Sequence, residues 1–356
     1  MLELKNVTPK TLEITSQLSV DIIIPVKEIN NYIYEAIPEI LSLDYENFGI
    51  IIFPDTFDGD EYLTIRKTNK LRIISTGNIG PAQKRDLALK YSDADIFAFL
   101  DDDAYPRRDW LKNAVKHFEN PDIAAVGGPA ITPPNNSFYQ RVSGAVFLSK
   151  ISGGNPERYW PMGKVREVDD WPSVNLLVRR DIFEKIGGFN SAYWPGEDTK
   201  LCLDIIKMGK KIVYDPDVVA WHHRREGLKR HLRQIGRYGL HRGFFAKKFP
   251  ETSRRLKYFI PSFFVIFLIL AIPLHSYFCA VKSCVLLEIF DNLFFAGIAI
   301  YLISLGTAFC QINRKEKNIA ISLVSLFYIF LTHIWYGIRF LQGFLFTKDL
   351  KSKLRS

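Results

Sequence analysis

The chain has 356 residues, of which 47% are hydrophobic and 14% aromatic, so it is too apolar for intrinsic disorder and long enough for two structural units. Its net charge of +9 is local, because residues 222–257 carry 12 lysines and arginines against two glutamates. This basic segment runs directly into apolar sequence without a nucleic-acid-binding motif. We therefore expect contact with anionic membrane lipid and no nucleic-acid partner.

The first part of the chain alternates apolar strand patterns with helical patterns. The predicted strands are 20–26, 49–54, 71–74, 95–100, 175–178 and 211–214, and the predicted helices are 31–43, 82–91, 181–186 and 197–208. This alternation implies right-handed crossovers and a mostly parallel sheet in an α/β fold. Residues 129–170 are rich in proline, glycine and asparagine, and we expect them to be irregular.

Three consecutive aspartates, Asp101, Asp102 and Asp103, follow the buried strand 95–100. Adjacent carboxylates repel one another and resist desolvation, so a cation is expected to offset their charge. Mg²⁺ or Mn²⁺ is the natural candidate, because these ions take oxygen ligands and keep coordination positions for phosphates. The alternative is an acidic turn exposed to water.

Three apolar stretches in the last third of the chain approach the length of a membrane-spanning helix: 258–274, 293–312 and 319–338. If the basic segment is cytoplasmic, two crossings return the basic turn 314–317 to the cytoplasm, whereas a third places the basic tail outside, against the positive-inside rule. Residues 319–338 are therefore either a third span, which their length favours, or a segment lying partly in the interface. Residues 1–19 show no signal-peptide pattern.

Six short segments have an informative order and spacing. They are 21–26 (DIIIPV), 78–86 (NIGPAQKRD), 99–103 (FLDDD), 187–189 (GGF), 196–202 (GEDTKLC) and 234–238 (QIGRY). Together they resemble the motifs of membrane-anchored family 2 glycosyltransferases, and the resemblance covers roughly residues 19–245. It implies a GT-A fold, a Rossmann-like mixed sheet that binds a nucleotide sugar, followed by a helical transmembrane region.

The resemblance also suggests a division of the chain. Residues 1–245 would be the GT-A catalytic domain and 246–257 a basic juxtamembrane linker. Residues 258–346 would form about three membrane spans, and 347–356 a basic tail.

By the same resemblance, Asp103 and Asp101 hold Mg²⁺ or Mn²⁺, and Asp102 contacts the ribose or the surroundings of the metal. Pro25 and Asp55 line the nucleoside of a UDP- or GDP-sugar. The turn at 53–58 departs from the family's usual acidic-Ser-Thr-Asp sequence, so the choice between uracil and guanine stays open.

Two basic residues, Lys84 and Arg85, resemble the segment beside the nucleotide and its phosphates. A solvated helix face is the alternative, since that is where lysine and arginine usually lie.

Asp198 is predicted to be the general base, because inversion by direct displacement needs a carboxylate that takes the proton of the acceptor hydroxyl. The alternative is that Glu197 and Asp198 only complement the dipole of a helix N-terminus. The residues assigned to the acceptor or the diphosphate are Trp171, Glu197, His223, Gln234, Arg237 and Tyr238.

These acceptor-side assignments have alternatives. Core packing explains Trp171 nearly as well, and an amphipathic interfacial helix explains residues 229–245. Either His222 or His223 could ligate the metal or contact the diphosphate, or be a neutral surface histidine. Tyr238 stands where the Q-x-x-R-W motif of processive synthases has tryptophan, which puts processivity in doubt.

The sequence thus predicts an inverting, metal-dependent hexosyltransferase of cell-surface polysaccharide or glycoconjugate synthesis. It would transfer a sugar from a nucleotide-sugar donor to a lipid-linked or glycan acceptor. We expect a multi-pass protein of the cytoplasmic membrane with its catalytic domain in the cytoplasm. One alternative is a processive synthase, for which three crossings form too small a channel. Another is a catalytically silent nucleotide-sugar-binding scaffold, which would be expected to lose Asp198 or the acidic triplet.

Overall fold

The computed structural model describes residues 17–57, 68–189, 193, 195–281 and 284–350. The strands are β1 Val20–Pro25, β2 Phe48–Phe53, β3 Leu71–Ile73, β4 Ile96–Leu100, β5 Ala104–Pro106, β6 Ile123–Gly127, β7 Ala130–Ile131, β8 Arg166–Val168, β9 Asn175–Arg179, β10 Lys211–Tyr214 and β11 Ala220–His222. The helices are α1 Asn31–Leu41, α2 Pro81–Asp86, α3 Ala88–Tyr91, α4 Trp110–Val115, α5 Phe138–Ala145, α6 Lys150–Gly153, α7 Arg180–Ile186, α8 Glu197–Lys207, α9 Leu228–Lys248, α10 Pro250–Ser253, α11 Leu256–Ala280, α12 Cys284–Glu316 and α13 Ile319–Leu341.

Within the described residues, eight strands form one mixed sheet in the order β3-β2-β1-β4-β9-β6-β10-β8. The pairs β1–β2, β1–β4, β2–β3 and β6–β10 are parallel, as the alternation of strands and helices predicts. Strand β9 is antiparallel to both β4 and β6, because the chain reaches it through the long segment 132–174 rather than through a strand–helix–strand crossover. The mixed sheet of the predicted fold class is confirmed, and the mostly parallel arrangement holds best for its first half.

The central strands of the sheet are buried on both sides, because helices cover both faces. On one face, Ile33 of α1 and Trp110 of α4 belong to the same apolar cluster as alternate residues of β1 and β2. On the other face, Phe183 of α7 and Leu201 of α8 belong to a second cluster. The sheet is therefore accessible to ligands mainly at the carboxyl ends of its parallel strands.

A small second sheet, with the order β5-β11-β7, lies beside these strand ends. The antiparallel pairing of β11 with β5 places His222 opposite Ala104, the residue that follows Asp103. The backbone N–H of His223 donates to the carbonyl of Asp103 at 2.9 Å. This register brings a histidine next to the acidic triplet although the two are far apart in the sequence.

The segment 129–170, which we expected to be irregular, contains the helices α5 and α6. A capping box starts α5: the hydroxyl of Ser137 accepts from the backbone N–H of Gln140 at 3.3 Å, and the Gln140 side chain accepts from the N–H of Ser137 at 3.0 Å. This S-x-x-Q pattern is a local helix signal within a sequence rich in helix breakers. Val142 of α5 packs with Ile321 of α13, so the segment joins the domain to the C-terminal helices.

Three C-terminal helical segments are long and apolar enough to cross a membrane: Leu256–Ala280, Cys284–Glu316 and Ile319–Phe346. Each is longer than the apolar stretch that predicted it. In particular, α11 contains Pro273 and still continues to Ala280.

Helices α11 and α12 form an antiparallel pair. The rings of Phe264 and Tyr301 stack with centroids 4.3 Å apart, and Phe278 and Phe290 lie 5.7 Å apart near the turn between the helices. In the most apolar stretch of α11 and of α12, only 6% of the residues are buried. The corresponding share for α13 is 39%, because α13 packs against the rest of the protein.

Much of the contact between α13 and the domain is made by α9. His231 Nε2 lies 2.9 Å from the hydroxyl of Thr332, and the Nε of Arg339 donates to the carbonyl of Gly236 at 3.3 Å. A methyl group at Gly236, Gly239 or Gly243 would overlap with Trp335, Tyr336 or Phe340 of α13. Glycines on one side of α9 thus allow the two helix backbones to approach closely, as small residues do between membrane helices.

Candidate active site

A cavity of about 550 Å³ opens at the carboxyl ends of β1 and β4. We call it the donor cavity. The predicted site residues that line it are Pro25, Arg85, Asp101, Asp102, Asp103, Glu197, Asp198, His223, Gln234, Arg237 and Tyr238. The fold therefore brings most of the predicted donor, metal, base and acceptor residues to one place.

Asp101, Asp103 and His222 form a candidate metal centre, with one possible ligand atom from each within 4.8 Å of the others. The Nε2 of His222 lies 3.1 Å from one oxygen of Asp103, and Arg225 lies 3.1 Å from the other. Burial alone would raise the pKa of Asp103, but His222 and Arg225 hold it well below its usual range, so this carboxylate is charged. Two carboxylates and an imidazole suit a divalent cation such as Mn²⁺.

The middle aspartate of the triplet has a different environment. Asp102 accepts a hydrogen bond from the side-chain amide of Asn30 at 2.8 Å, and the Asn30 oxygen also caps α1. Burial and the charge of Asp103 raise the pKa of Asp102 to about 6. His222 thus pairs with Asp103 and lies near Asp101, whereas Asp102 is held by Asn30, the residue that caps α1.

The two basic residues of α2 are buried rather than solvated. Lys84 is 2% exposed, donates to the carbonyls of Val26 and Phe53, and pairs with Asp55 at 2.5 Å. Its ammonium group therefore ties the ends of β1 and β2 together and fixes Asp55 there. The alternative that Lys84 lies on a solvated helix face is therefore excluded. Lys84 instead binds the chain at the ends of β1 and β2, next to Pro25.

Arg85, 3% exposed, connects the two acidic groups of the site. It donates to Asp101 at 2.6 Å and to Glu197 at 3.2 Å. Burial and the neighbouring Asp198 raise the pKa of Glu197 to about 8, while Arg85 opposes this shift. The guanidinium group thus fixes the start of α8 relative to the metal centre.

Asp198 lies in the first turn of α8 and lines the donor cavity. Gly196 precedes it with φ of +126°, a conformation that other residues rarely adopt, and this turn directs Glu197 towards Arg85. Burial and the charge of Asp170 raise the pKa of Asp198, and Arg242 opposes them. A carboxylate with a raised pKa in a cavity wall is suited to general base catalysis.

Asp170 is a buried anchor behind this base. It accepts from Arg242 at 2.6 Å, lies 3.2 Å from Arg158, and accepts from the hydroxyl of Thr199 at 3.1 Å. Burial would raise the pKa of Asp170, but Arg242 and Arg158 lower it well below its usual range. This cluster holds α8, the segment before β9 and helix α9 together.

Part of the basic segment that we assigned to membrane lipid faces the donor cavity instead. Arg225 lines it, and so do Arg230, Arg233 and Arg237, which lie three and four residues apart on one face of α9. The sequence motifs did not assign Arg225, Arg230 or Arg233 to the site, although the helical spacing of Arg230 and Arg233 with the predicted Arg237 was visible. Gln234, on the same helix, donates to the hydroxyl of Tyr238 at 3.0 Å.

Two acceptor-side assignments need revision. Trp171 is 1% exposed, donates to the carbonyl of Gly128 and packs on Tyr214, so it is a core residue and not an acceptor platform. His223 reaches the cavity wall, but its ring lies between Asn136 and Glu35, at 2.6 and 3.0 Å. The neighbouring His222 is the histidine that lies beside the acidic pair.

Comparison with known proteins identifies several glycosyltransferases that are similar to this chain. Residues 21–187 match the family described as Glycosyl transferase family 2. A pre-mycofactocin glycosyltransferase of Mycobacterium tuberculosis is 28% identical over 50% of the chain, which spans 37% of the length of that relative. A dolichyl N-acetyl-alpha-D-glucosaminyl phosphate 3-beta-D-2,3-diacetamido-2,3-dideoxy-beta-D-glucuronosyltransferase of Methanococcus voltae is 24% identical over 64% of this chain and 74% of its own.

A solved structure has a similar fold. It is a mannosyltransferase from Pyrobaculum calidifontis in complex with GDP-Man and Mn²⁺, with a TM-score of 0.53 and 19% identity over 94% of this chain and 89% of its own. Residues 21–187 thus match family 2 glycosyltransferases, the chain has a GT-A-like fold, and three helices of membrane-spanning length follow the catalytic domain.

Asp103→Ala is expected to abolish Mn²⁺-dependent binding of GDP or UDP, because it removes a ligand of the candidate metal centre. Isothermal titration calorimetry of the full chain in detergent, with and without Mn²⁺, measures this. The control Asp109→Ala removes an aspartate that pairs with Arg107 and is not among the described residues lining the cavity. Unchanged affinity in a folded Asp103→Ala protein would exclude Asp103 from the metal centre.

Asp170→Asn is expected to destabilise the protein by about 3–5 kcal/mol at neutral pH, because it leaves two buried guanidinium groups without a carboxylate. Since the folded-state pKa of Asp170 is lowered, its contribution is present above the unfolded-state pKa and is lost as pH falls towards the folded value. The variant should therefore lose less stability than the parent on acidification. Thermal unfolding at several pH values tests this, with Asp181→Asn, which breaks only an exposed pair with Lys185, as the control.

Proposed function

We propose that this protein is an inverting, metal-dependent glycosyltransferase that moves one sugar from a nucleotide-sugar donor to a lipid-linked or glycan acceptor at the cytoplasmic face of a membrane. The observation that carries this proposal is the shared cavity. The candidate metal centre, seven arginines and the partly buried carboxylate of Asp198 all line the same 550 Å³ space. A donor diphosphate and an acceptor hydroxyl need these groups together.

Each group has a role that its surroundings support. Arg225 and the arginines of α9 lie where they can bind the diphosphate, and a divalent cation held by Asp101, Asp103 and His222 would supply further positive charge there. The acceptor hydroxyl oxygen attacks the anomeric carbon as Asp198 takes the hydroxyl proton. The bond between the anomeric carbon and the phosphate oxygen breaks, and its electron pair leaves with the nucleoside diphosphate. Attack opposite to the leaving group inverts the anomeric configuration.

The relatives support a nucleotide-sugar donor and a lipid phosphate in the acceptor. The Pyrobaculum protein is in complex with GDP-Man, and the Methanococcus relative acts on a dolichyl-linked sugar phosphate. A relative from Haloferax volcanii, 22% identical over 53% of this chain and 63% of its own, is a glucosyl-dolichyl phosphate glucuronosyltransferase. A panel of UDP- and GDP-sugars scored for Mn²⁺-dependent hydrolysis identifies the donor.

We further propose that α11 and α12 are the crossing helices, and that α13, whose length favoured a third span, instead lies along the catalytic domain at the membrane surface. Both ends of α13 support this arrangement. Glu316, just before it, pairs with Arg141 of the domain at 2.9 Å, and Thr347, just after it, accepts from Lys247 at 2.6 Å. A helix perpendicular to the membrane would carry one end away from the domain. Two crossings also place the basic tail on the side of the other basic residues.

Asp198→Asn is expected to lower turnover by about 10²–10⁴-fold, the range for a positioned general base, while donor binding persists. Because the pKa of Asp198 is raised, the parent should gain activity with rising pH as this carboxyl loses its proton. The variant should lack that limb of the pH profile. Turnover within about threefold of the parent would mean that another group is the base.

The membrane arrangement is tested by labelling single cysteines in intact cells, in a chain whose four native cysteines are replaced. Ser352→Cys in the tail and Glu28→Cys in the catalytic domain should both be protected from an impermeant thiol reagent, and Val281→Cys between α11 and α12 should react. Labelling of the tail position would establish a third crossing, and labelling of Glu28→Cys from outside would overturn the cytoplasmic location.

A further inference from the structure

A second cavity, of about 600 Å³, lies between the catalytic domain and helices α11, α12 and α13. We call it the membrane-side cavity. Its wall is largely apolar and aromatic, with Phe264 of α11, Ile300 of α12 and Tyr336 of α13 among its residues. The metal centre lies in the donor cavity, so this second space needs a different occupant.

The two cavities meet at the proposed base. Asp198, Gly196 and Tyr238 line both of them, together with Tyr159 and Arg158. A molecule in the membrane-side cavity can therefore present one end to Asp198 while the donor occupies the other side. The position is that of an acceptor and not that of a donor.

The far wall of the membrane-side cavity is formed by helices α11 and α12. Ile260 of α11 and Ile300 of α12 line it and are still 56% and 66% exposed. Both residues belong to helices that are long and apolar enough to cross the membrane. The cavity wall that these helices form is thus made of side chains that favour hydrocarbon over water.

Two lysines give the cavity a positive charge that the domain does not neutralise. Lys150 on α6 and Lys257 on α11 both line it, and among the described residues neither forms an ion pair with a carboxylate. The Nζ of Lys257 donates to the side-chain oxygen of Asn155 at 2.8 Å. The other two cationic side chains of the wall, Arg158 and Arg242, are held by Asp170. A phosphate beside the two lysines would offset their charge.

We propose that the membrane-side cavity binds an acceptor whose apolar chain is joined to a phosphate, with the chain lying along α11 and α12 and the phosphate held by Lys150 and Lys257. This inference rests on the proposed glycosyltransferase activity and specifies its acceptor. Neither lysine was assigned a role by the motifs of the sequence.

The role of Asp198 defines the head group further. A phosphate acting as the nucleophile has no proton to lose at neutral pH, whereas a sugar hydroxyl requires a base. An acceptor that uses Asp198 therefore carries at least one sugar between its phosphate and the reacting oxygen. The acceptor class is a lipid-phosphate-linked sugar, with its chain in the membrane, its phosphate at the lysines and its sugar hydroxyl at Asp198.

The first test is direct binding of farnesyl phosphate to the full chain in detergent, measured by native mass spectrometry without donor or turnover. Lys150→Ala/Lys257→Ala should weaken binding by about 10- to 100-fold, since it removes two charge-assisted contacts. The control Lys210→Ala/Lys211→Ala removes the same charge from exposed pairs with Asp122 and Glu167, and it should bind farnesyl phosphate as the parent does. Equal binding by the Lys150/Lys257 variant and the parent would overturn the phosphate site.

A second pair of variants tests the path of the chain. Ile300→Trp fills the membrane-side cavity and should weaken binding of both farnesyl phosphate and farnesol, which lacks the phosphate. Ile303→Trp is on the same helix at a position 70% exposed and not among the described lining residues, so it should have no effect. Equal effects of the two variants would overturn the chain path.

Competition experiments show whether the cavity recognises a chain-linked phosphate, a free anion or a bulk anionic lipid. Glucose 1-phosphate, which has no chain, and phosphatidylglycerol, a bulk anionic lipid, should both displace farnesyl phosphate poorly. Efficient displacement by either would replace the proposal by a simple anion site or a lipid-surface site.

Calorimetry with GDP or UDP and Mn²⁺ runs in parallel. Loss of nucleotide binding in the parent would count against the proposed function, whereas intact nucleotide binding without farnesyl phosphate binding would count against this inference alone.

Discussion

Compensation of buried negative charge organises this protein. Asp101 and Asp103 follow β4, whose residues are fully buried, and their charge is offset by Arg85 of α2, His222 of β11 and Arg225 in the segment after β11. Because a buried carboxylate without a partner is strongly destabilising, these contacts fix how the small sheet and α2 sit on the main sheet. Arg85 continues the chain of charges to α8. The same electrostatic demand therefore builds the metal centre and positions the proposed base.

A second buried carboxylate, that of Asp170, connects the catalytic site to the C-terminal helices. Asp170 joins α8 and α9 through Thr199 and Arg242, and α9 in turn packs along α13 through its glycines. The base, the arginines of the donor cavity and the C-terminal helices thus belong to one connected structure. A soluble catalytic domain cut before α9 would lose both the arginine wall and the anchor behind Asp198.

The sequence predicted those features that are local in the chain. Buried strand patterns, the acidic triplet and the Gly196–Asp198 turn identified the fold and one side of the site, because each is visible within a few residues. Features that depend on distant pairing were not predictable in the same way. Only the register of β11 with β5 distinguishes His222 from His223, and only packing shows that Trp171 is in the core. Arg230 and Arg233 of α9 were assigned to lipid, because charge composition does not reveal which helix face meets a cavity.

Helix α9 has a further consequence through its length. Its first turns supply Arg230, Arg233 and Arg237 to the donor cavity, and its glycines hold α13 against it over the following turns. One continuous helix joins the two regions without a hinge, so a tilt of the C-terminal helices moves the arginines with it. Bilayers of different thickness impose different tilts on apolar helices. A tilt imposed on α13 in this way would therefore be transmitted through α9 to Arg230, Arg233 and Arg237.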